Sequence, residues 1–173
     1  MASQNLRPQD IVVLLKILCF GEERWMSKDL AQQLYLSTAE ISHSLQRNAN
    51  AGLLDIDNRS VHTQALLELL RYGIPYFFPQ RAGSLARGLP TAHSHPYFKD
   101  KIVSTDIYVW PDAESNIRGF SIEPLYPGAV HAAKKDPQLY LYLSLTDVLR
   151  IGKAREKEIA IDKLQEEFYE PSH

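Results

Sequence analysis

Ile11, Leu14, Leu15 and Leu18 recur at i, i+3, i+4 and i+7, the spacing of one helical face. Pro8 suits a first helical turn, where its missing N–H costs nothing, and Gly21 supplies the stop. From Ile11 to Phe20 apolar residues occupy more than one face. Such a helix is either central to a core or shared with another subunit. GEERWMS follows, with Trp25 and Met26 expected as a short strand or an apolar plug. In Ser27–Leu54 the pattern becomes that of two short helices around a tight turn. Ser27 is placed to cap the first, which carries Leu30, Ala31 and Leu34 on its inner face. Tyr35 and Leu36 form the turn. Ser37 caps the second helix, and Glu40 three residues on completes a capping box. Ile41 and Leu45 share a face at i, i+4, and Gly52 ends the helix in a left-handed conformation.

The remaining pattern alternates further helices with strands. Residues 61–72 read as a helix with Ala65, Leu66, Leu69 and Leu70 inward and Gly73 as its stop. Aromatic-rich Ile74–Pro79 and the stretch Leu85–Ala92 read as a hairpin, with Arg81, Gly83, Ser84 and Arg87 around its tip. Prolines 75, 79 and 90 restrict these strands to edges or short pairings. Asp106–Trp110 and Ile117–Tyr126 read as a second hairpin across PDAESN. Helices are expected at AVHAAKKD, at PQLYLYLSLTDVLRI and at KAREKEIAIDKLQEEF, and the tail EPSH is expected to fray. The fold class is α+β, mainly α. Its expected parts are a winged helix-turn-helix with a helix inserted before the wing, then a small β-hairpin and C-terminal helices. The expected domains are 1–98 and 99–173.

The residues Leu30, Ala31, Leu34, Ser37, Ile41, Ser42, Leu45, Arg47, Gly52 and Leu53 make this stretch resemble winged helix-turn-helix transcriptional regulators of the broad MarR-like kind. GIPYFFPQRAGSLARGLPTAHS, WPDAESNIRGFSIEPLYP and LRIGKAREKEIA are similar to a group of small bacterial helix-turn-helix proteins associated with toxin–antitoxin-like or defence-linked gene pairs. These resemblances imply a DNA-binding transcriptional regulator, and a possible partner protein encoded nearby.

In such a regulator the second helix enters the major groove with its N-terminal residues at base edges. Ser37, Thr38, Ala39, Ser42, His43 and Gln46 are the expected contacts, with Arg47 reaching a phosphate. Hydroxyls and glutamine suit phosphates or adenine edges, and alanine suits a thymine methyl. Arg81, Ser84 and Arg87 are expected at the wing, where arginine suits a narrow minor groove. So few cations per subunit imply a homodimer on a palindromic operator of double-stranded DNA, since phosphate neutralisation dominates affinity. The expected role is a repressor. The alternative is an antitoxin-like module that neutralises a partner protein through its C-terminal half. Tyr140, Tyr142, Leu145, Leu149, Leu164 and Phe168 would serve dimerisation or docking there.

Composition changes this picture only modestly. With 45% apolar and 23% charged residues among 173, the chain can bury a core. The net charge of −2 does not itself advertise nucleic-acid binding. Residues 1–105 carry 11 basic and 9 acidic side chains, a net +2, and residues 106–173 carry 8 and 12, a net −4. This points the first half toward DNA. Cys19, the single cysteine, sits in an apolar helix and reads as a small buried hydrophobe. The N-terminus lacks signal-peptide regions and no apolar run approaches a membrane span, so a cytoplasmic protein without membrane contact is expected.

Catalysis is not expected. The chain has no Gly-rich phosphate loop and no nucleophile elbow. Asp112 and Glu114 fall in an ordinary Pro-Asp turn. His93 and His95, with His62 and His131 elsewhere, lack cysteine or glutamate at ligand spacing, so neither metal nor cofactor is expected. The aromatics Tyr76, Phe77, Phe78, Tyr97, Phe98, Tyr108 and Trp110 read as core beneath the two hairpins in preference to a ligand pocket.

Overall fold

In the computed structural model, which describes residues 5–169, the chain is α+β and mainly helical, with little strand. The tail EPSH lies outside the described residues. Two compact units interleave along the chain. The first holds the chain up to Leu66 together with Leu125–Leu139. The second holds Leu67–Pro124 together with the chain from Tyr140 onward. The expected division at residues 98 and 99 is therefore replaced by three crossings, after Leu66, Pro124 and Leu139.

The first unit is built on helix α1 (Pro8–Cys19), whose residues Ile11 to Ile17 are all buried. An all-round buried helix is what its multi-faced apolar pattern demands. Asp10 starts it by accepting the Arg7 backbone N–H at 2.8 Å. Helix α2 (Ser27–Leu34) buries Leu30, Ala31 and Leu34 as expected. Its cap differs from expectation. Met26 is the N-cap and Ser27 is already helical, because the Asp29 carboxylate takes the Met26 N–H at 2.8 Å. Tyr35, at φ 58, makes the left-handed turn into helix α3 (Thr38–Asn50). There the Ser37–Glu40 capping box forms, with the Glu40 N–H donating to Ser37 Oγ at 3.1 Å.

Gly52, at φ +79, ends α3 as its pattern requires, and the Leu53 N–H returns to the Asn48 carbonyl at 2.9 Å. Strands β1 (Leu54–Asp55) and β2 (Ser60–Val61) then pair directly as an antiparallel hairpin. Helix α4 (Thr63–Tyr72) thus follows a hairpin and does not precede the first one. The first unit is completed by helix α6 (Ala129–Lys135), which packs on α2. Tyr126, just before α6, donates its hydroxyl to the Leu34 carbonyl at 2.7 Å. Lys16 of α1 pairs with Asp136 at 2.6 Å.

The second unit corrects the other strand assignments. Ile74–Phe77 is a short helix, α5, not the first strand of a hairpin. Helical hydrogen bonding runs through Gly73, whose N–H reaches the Leu69 carbonyl and whose carbonyl receives Phe77. Strand β3 (Leu85–Pro90) pairs antiparallel with β5 (Arg118–Ser121) through Leu85–Arg87, and with β4 (Tyr108–Pro111) through Gly88–Pro90. Strands β4 and β5 pair parallel, so the expected antiparallel second hairpin is absent and the three strands close on one another. Gly88 is required at this crossing, since a Cβ there would overlap the Trp110 carbonyl.

Helix α7 (Pro137–Ile151) is buried all round from Tyr142 to Arg150. Asp147 lies at its heart and accepts Thr91 Oγ1–H and Trp110 Nε1–H, each at 2.7 Å. Arg150 pairs with the same carboxylate at 2.9 Å and caps the Phe78 and Glu123 carbonyls. Burial pushes the Asp147 carboxyl upward, while Arg150, Thr91 and Trp110 oppose that shift. Helix α8 (Ala154–Tyr169) buries Ile161, Leu164 and Phe168, the last against Tyr142 with ring centroids 5.7 Å apart.

Candidate functional site

The inner face of α3 is set by Ile41, Ser44, Leu45 and Asn48, at i, i+3, i+4 and i+7, all buried. The opposite stripe is exposed. Ser37, Thr38, Ala39, Ser42, His43 and Gln46 all lie on it, so six of the expected contacts share one accessible surface. The stripe is short of cations, and Glu40 adds a carboxylate at its N-terminal end. That carboxylate is engaged locally, accepting Ser37 Oγ–H at 3.1 Å. Gln46 donates to Asn50 Oδ1 at 2.9 Å, one turn further along.

Arg47 belongs elsewhere. It was expected to reach a phosphate, but it is 7% exposed. Its Nε and Nη2 donate to the two oxygens of Asp10, each at 2.8 Å. Those bonds hold the guanidinium more basic than usual. The fork clamps α3 to the start of α1, and Asn48 adds an amide bond to the Asp10 carbonyl at 3.2 Å. Arg47 therefore orients the helix and does not contribute to its outer surface.

The hairpin after α3 carries a cation, Arg59, outside the expected contact residues. Arg59 stacks over the Trp25 ring at 5.0 Å and donates to the Trp25 carbonyl at 3.1 Å. Its left-handed backbone, φ 55, closes a turn that Asp55 organises by accepting the Asp57 and Asn58 N–H groups. The signal lay in Asp55-Ile56-Asp57-Asn58, whose Asx chemistry favours a turn. A groove of about 380 Å³ runs here, lined by Trp25, Ser27, Ser42, His43, Gln46 and Arg59 among others. Trp25 is buried as a plug, whereas Met26 is 52% exposed.

The turn between α2 and α3 is braced from behind. Tyr35 packs against His131 with ring centroids 5.7 Å apart, and Lys135 stands over the Tyr35 ring at 5.3 Å. Together with the Tyr126–Leu34 bond, these contacts fix the geometry with which α3 is presented.

Arg81, Ser84 and Arg87 are exposed, but no hairpin tip gathers them. Residues 78–84 form a loop whose Gly83 and Ser84 pair with Ser121, and Arg87 sits within β3. All three belong to the second unit, whereas α3 belongs to the first, because Ile74–Phe77 is helical and leaves β3 to pair with later strands.

No family model, curated protein or solved structure matches this chain.

The remaining candidates resolve locally. The described residues contain no cluster of three metal-ligating side chains. No helix among them is long and apolar enough to cross a membrane. Burial pushes the Cys19 thiol well above its usual range, and Asp136 adds to the shift, so it is a weak nucleophile. Tyr142, Leu145, Leu149, Leu164 and Phe168 are buried within the chain, so they are core and not a docking face. Tyr76 and Phe77, expected in the core, are 81% and 69% exposed, because they sit on the short helix α5.

Proposed function

We propose that this protein is a sequence-specific DNA-binding regulator, acting as a dimer through a winged helix-turn-helix in its first unit. The observation that carries the reading is the anchored, outward-facing helix α3. Its inner face and the Arg47–Asp10 fork hold it rigid, while Thr38, Ala39, Ser42, His43 and Gln46 stand exposed along one stripe. These side chains are short, polar or methyl-bearing, the types that read base edges in a major groove. The β1–β2 hairpin follows α3 directly, in the chain position of a wing, and offers Arg59 in the groove with His43 and Gln46. We assign the wing role to this hairpin in place of residues 79–88. The scarcity of cations on α3 makes a second subunit necessary for useful affinity, and a two-fold pair would match a palindromic operator. A repressor is the simplest regulator with these parts.

Fluorescence anisotropy with duplex DNA from the region upstream of its own coding sequence tests the reading. Saturable binding that weakens steeply with salt is expected, since phosphate contacts release counterions. Binding that is absent, or indifferent to salt, counts against it.

A second reading, a module that binds and neutralises a partner protein, is favoured by one observation. Tyr72, Tyr76 and Phe77 are 65%, 81% and 69% exposed around the junction of α4 and α5. Exposed aromatics of this kind mark contact surfaces. Co-purification of a neighbouring gene product at fixed stoichiometry, lost in Tyr76→Ser/Phe77→Ser, would support it. The two roles are compatible.

A further inference from the structure

A cavity of about 530 Å³ opens in the second unit beside the His93-Ser94-His95-Pro96 segment. Its apolar lining includes Phe98, which is fully buried, and Ile107 and Ile117, which are 43% and 44% exposed. Two isoleucines left partly in water beside a concave surface are apolar area available for burial. Such a cavity falls within the size range of small-molecule sites.

Of its uncharged polar side chains, His93 and Ser104 are bonded to the Asp106 backbone, and His95 and Ser94 are donors. The His95 Nδ1 accepts the Tyr97 backbone N–H at 3.0 Å, which places the ring proton on Nε2. The ring packs against Tyr140, with centroids 4.3 Å apart, so its orientation is fixed. Ser94 Oγ accepts the Tyr108 N–H at 2.9 Å, leaving its own proton to donate. Neither His95 Nε2–H nor the Ser94 hydroxyl proton has a partner among the described residues. Both donors are therefore open to an acceptor from outside the chain.

Charge decides the ligand class. Lys99 and Asp106 both line the cavity and cancel formally. Burial lowers the His95 pKa to about 4, so its ring adds no charge near neutrality. We propose that this cavity binds an uncharged, largely apolar small molecule, held by apolar contact with Ile107 and Ile117 and by an oxygen acceptor facing His95 and Ser94. The site is independent of the α3 surface and of any activity assigned to it.

Nile red, an uncharged, flat, apolar dye with a carbonyl acceptor, is a suitable probe. Saturable binding to the full-length protein with blue-shifted emission is expected. Ile107→Asp/Ile117→Asp should abolish it. His95→Asn keeps an acceptor for the Tyr97 N–H but removes the Nε2 donor, and should weaken binding about three- to ten-fold. Tyr76→Ser/Phe77→Ser should leave it unchanged. Absence of dye binding would overturn the proposal. So would binding that survives the isoleucine and histidine changes, or that is lost with Tyr76 and Phe77. Tighter binding of the anionic dye 1-anilinonaphthalene-8-sulfonate than of Nile red would overturn the assignment of an uncharged ligand.

Discussion

Arg47 of α3 and Asp10 of α1 are joined by two hydrogen bonds of 2.8 Å, with side-chain exposures of 8% and 0%. A charge pair this deeply buried is costly to break from one side, since the remaining ion keeps its desolvation penalty. Arg47→Met or Asp10→Leu alone should cost about 3–5 kcal/mol in urea unfolding. The double replacement should recover much of that loss, because no lone charge is then buried. Equal and additive losses would contradict the pairing.

The Asp147 carboxylate fixes the second unit in the same manner. Thr91→Val keeps the shape of a fully buried side chain but removes one donor to this carboxylate. It should cost about 1–3 kcal/mol, the range for leaving a buried charged acceptor short of a bond. Chemical denaturation of the variant checks this. A neutral result would mean that Trp110 and Arg150 suffice.

Helices were legible in this sequence wherever a stop or cap agreed with apolar spacing. Gly21 and Gly52 take left-handed backbone where the pattern ends, and the Ser37–Glu40 box forms as its spacing implies. The hairpin at Leu54–Val61 was hidden because each strand has only two residues, too few to show alternation. Aromatic residues 76–78 looked like a strand, yet helical hydrogen bonding continues through Gly73, which outweighed local β preference. The parallel pairing of β4 with β5 was invisible because a six-residue link between short strands ordinarily makes a hairpin. At the candidate site, exposure followed from helical phase for Thr38, Ala39, Ser42, His43 and Gln46. Arg47 was misplaced because its partner is 37 residues away and carries no local signal.

His95 gives the fold a pH dependence. Its folded pKa is lowered to about 4 by burial, against an ordinary value of 6.5. Between these values the unfolded chain binds a proton that the folded chain does not, so stability falls as pH drops from about 6.5 toward 4. His95→Asn should flatten this part of the stability profile. Urea midpoints for both proteins at pH 7 and pH 4.5 make the comparison, and identical pH slopes would assign the effect to another group.

The DNA-reading role proposed for the exposed stripe of α3 is checked by an electrophoretic shift on the upstream duplex with Ser42→Ala/His43→Ala/Gln46→Ala. These positions are exposed, so the fold should be preserved. Loss of the specific complex is expected, by about 1–3 kcal/mol for each base contact removed, with weak salt-sensitive binding remaining. A specific complex of undiminished affinity in the triple variant would contradict it.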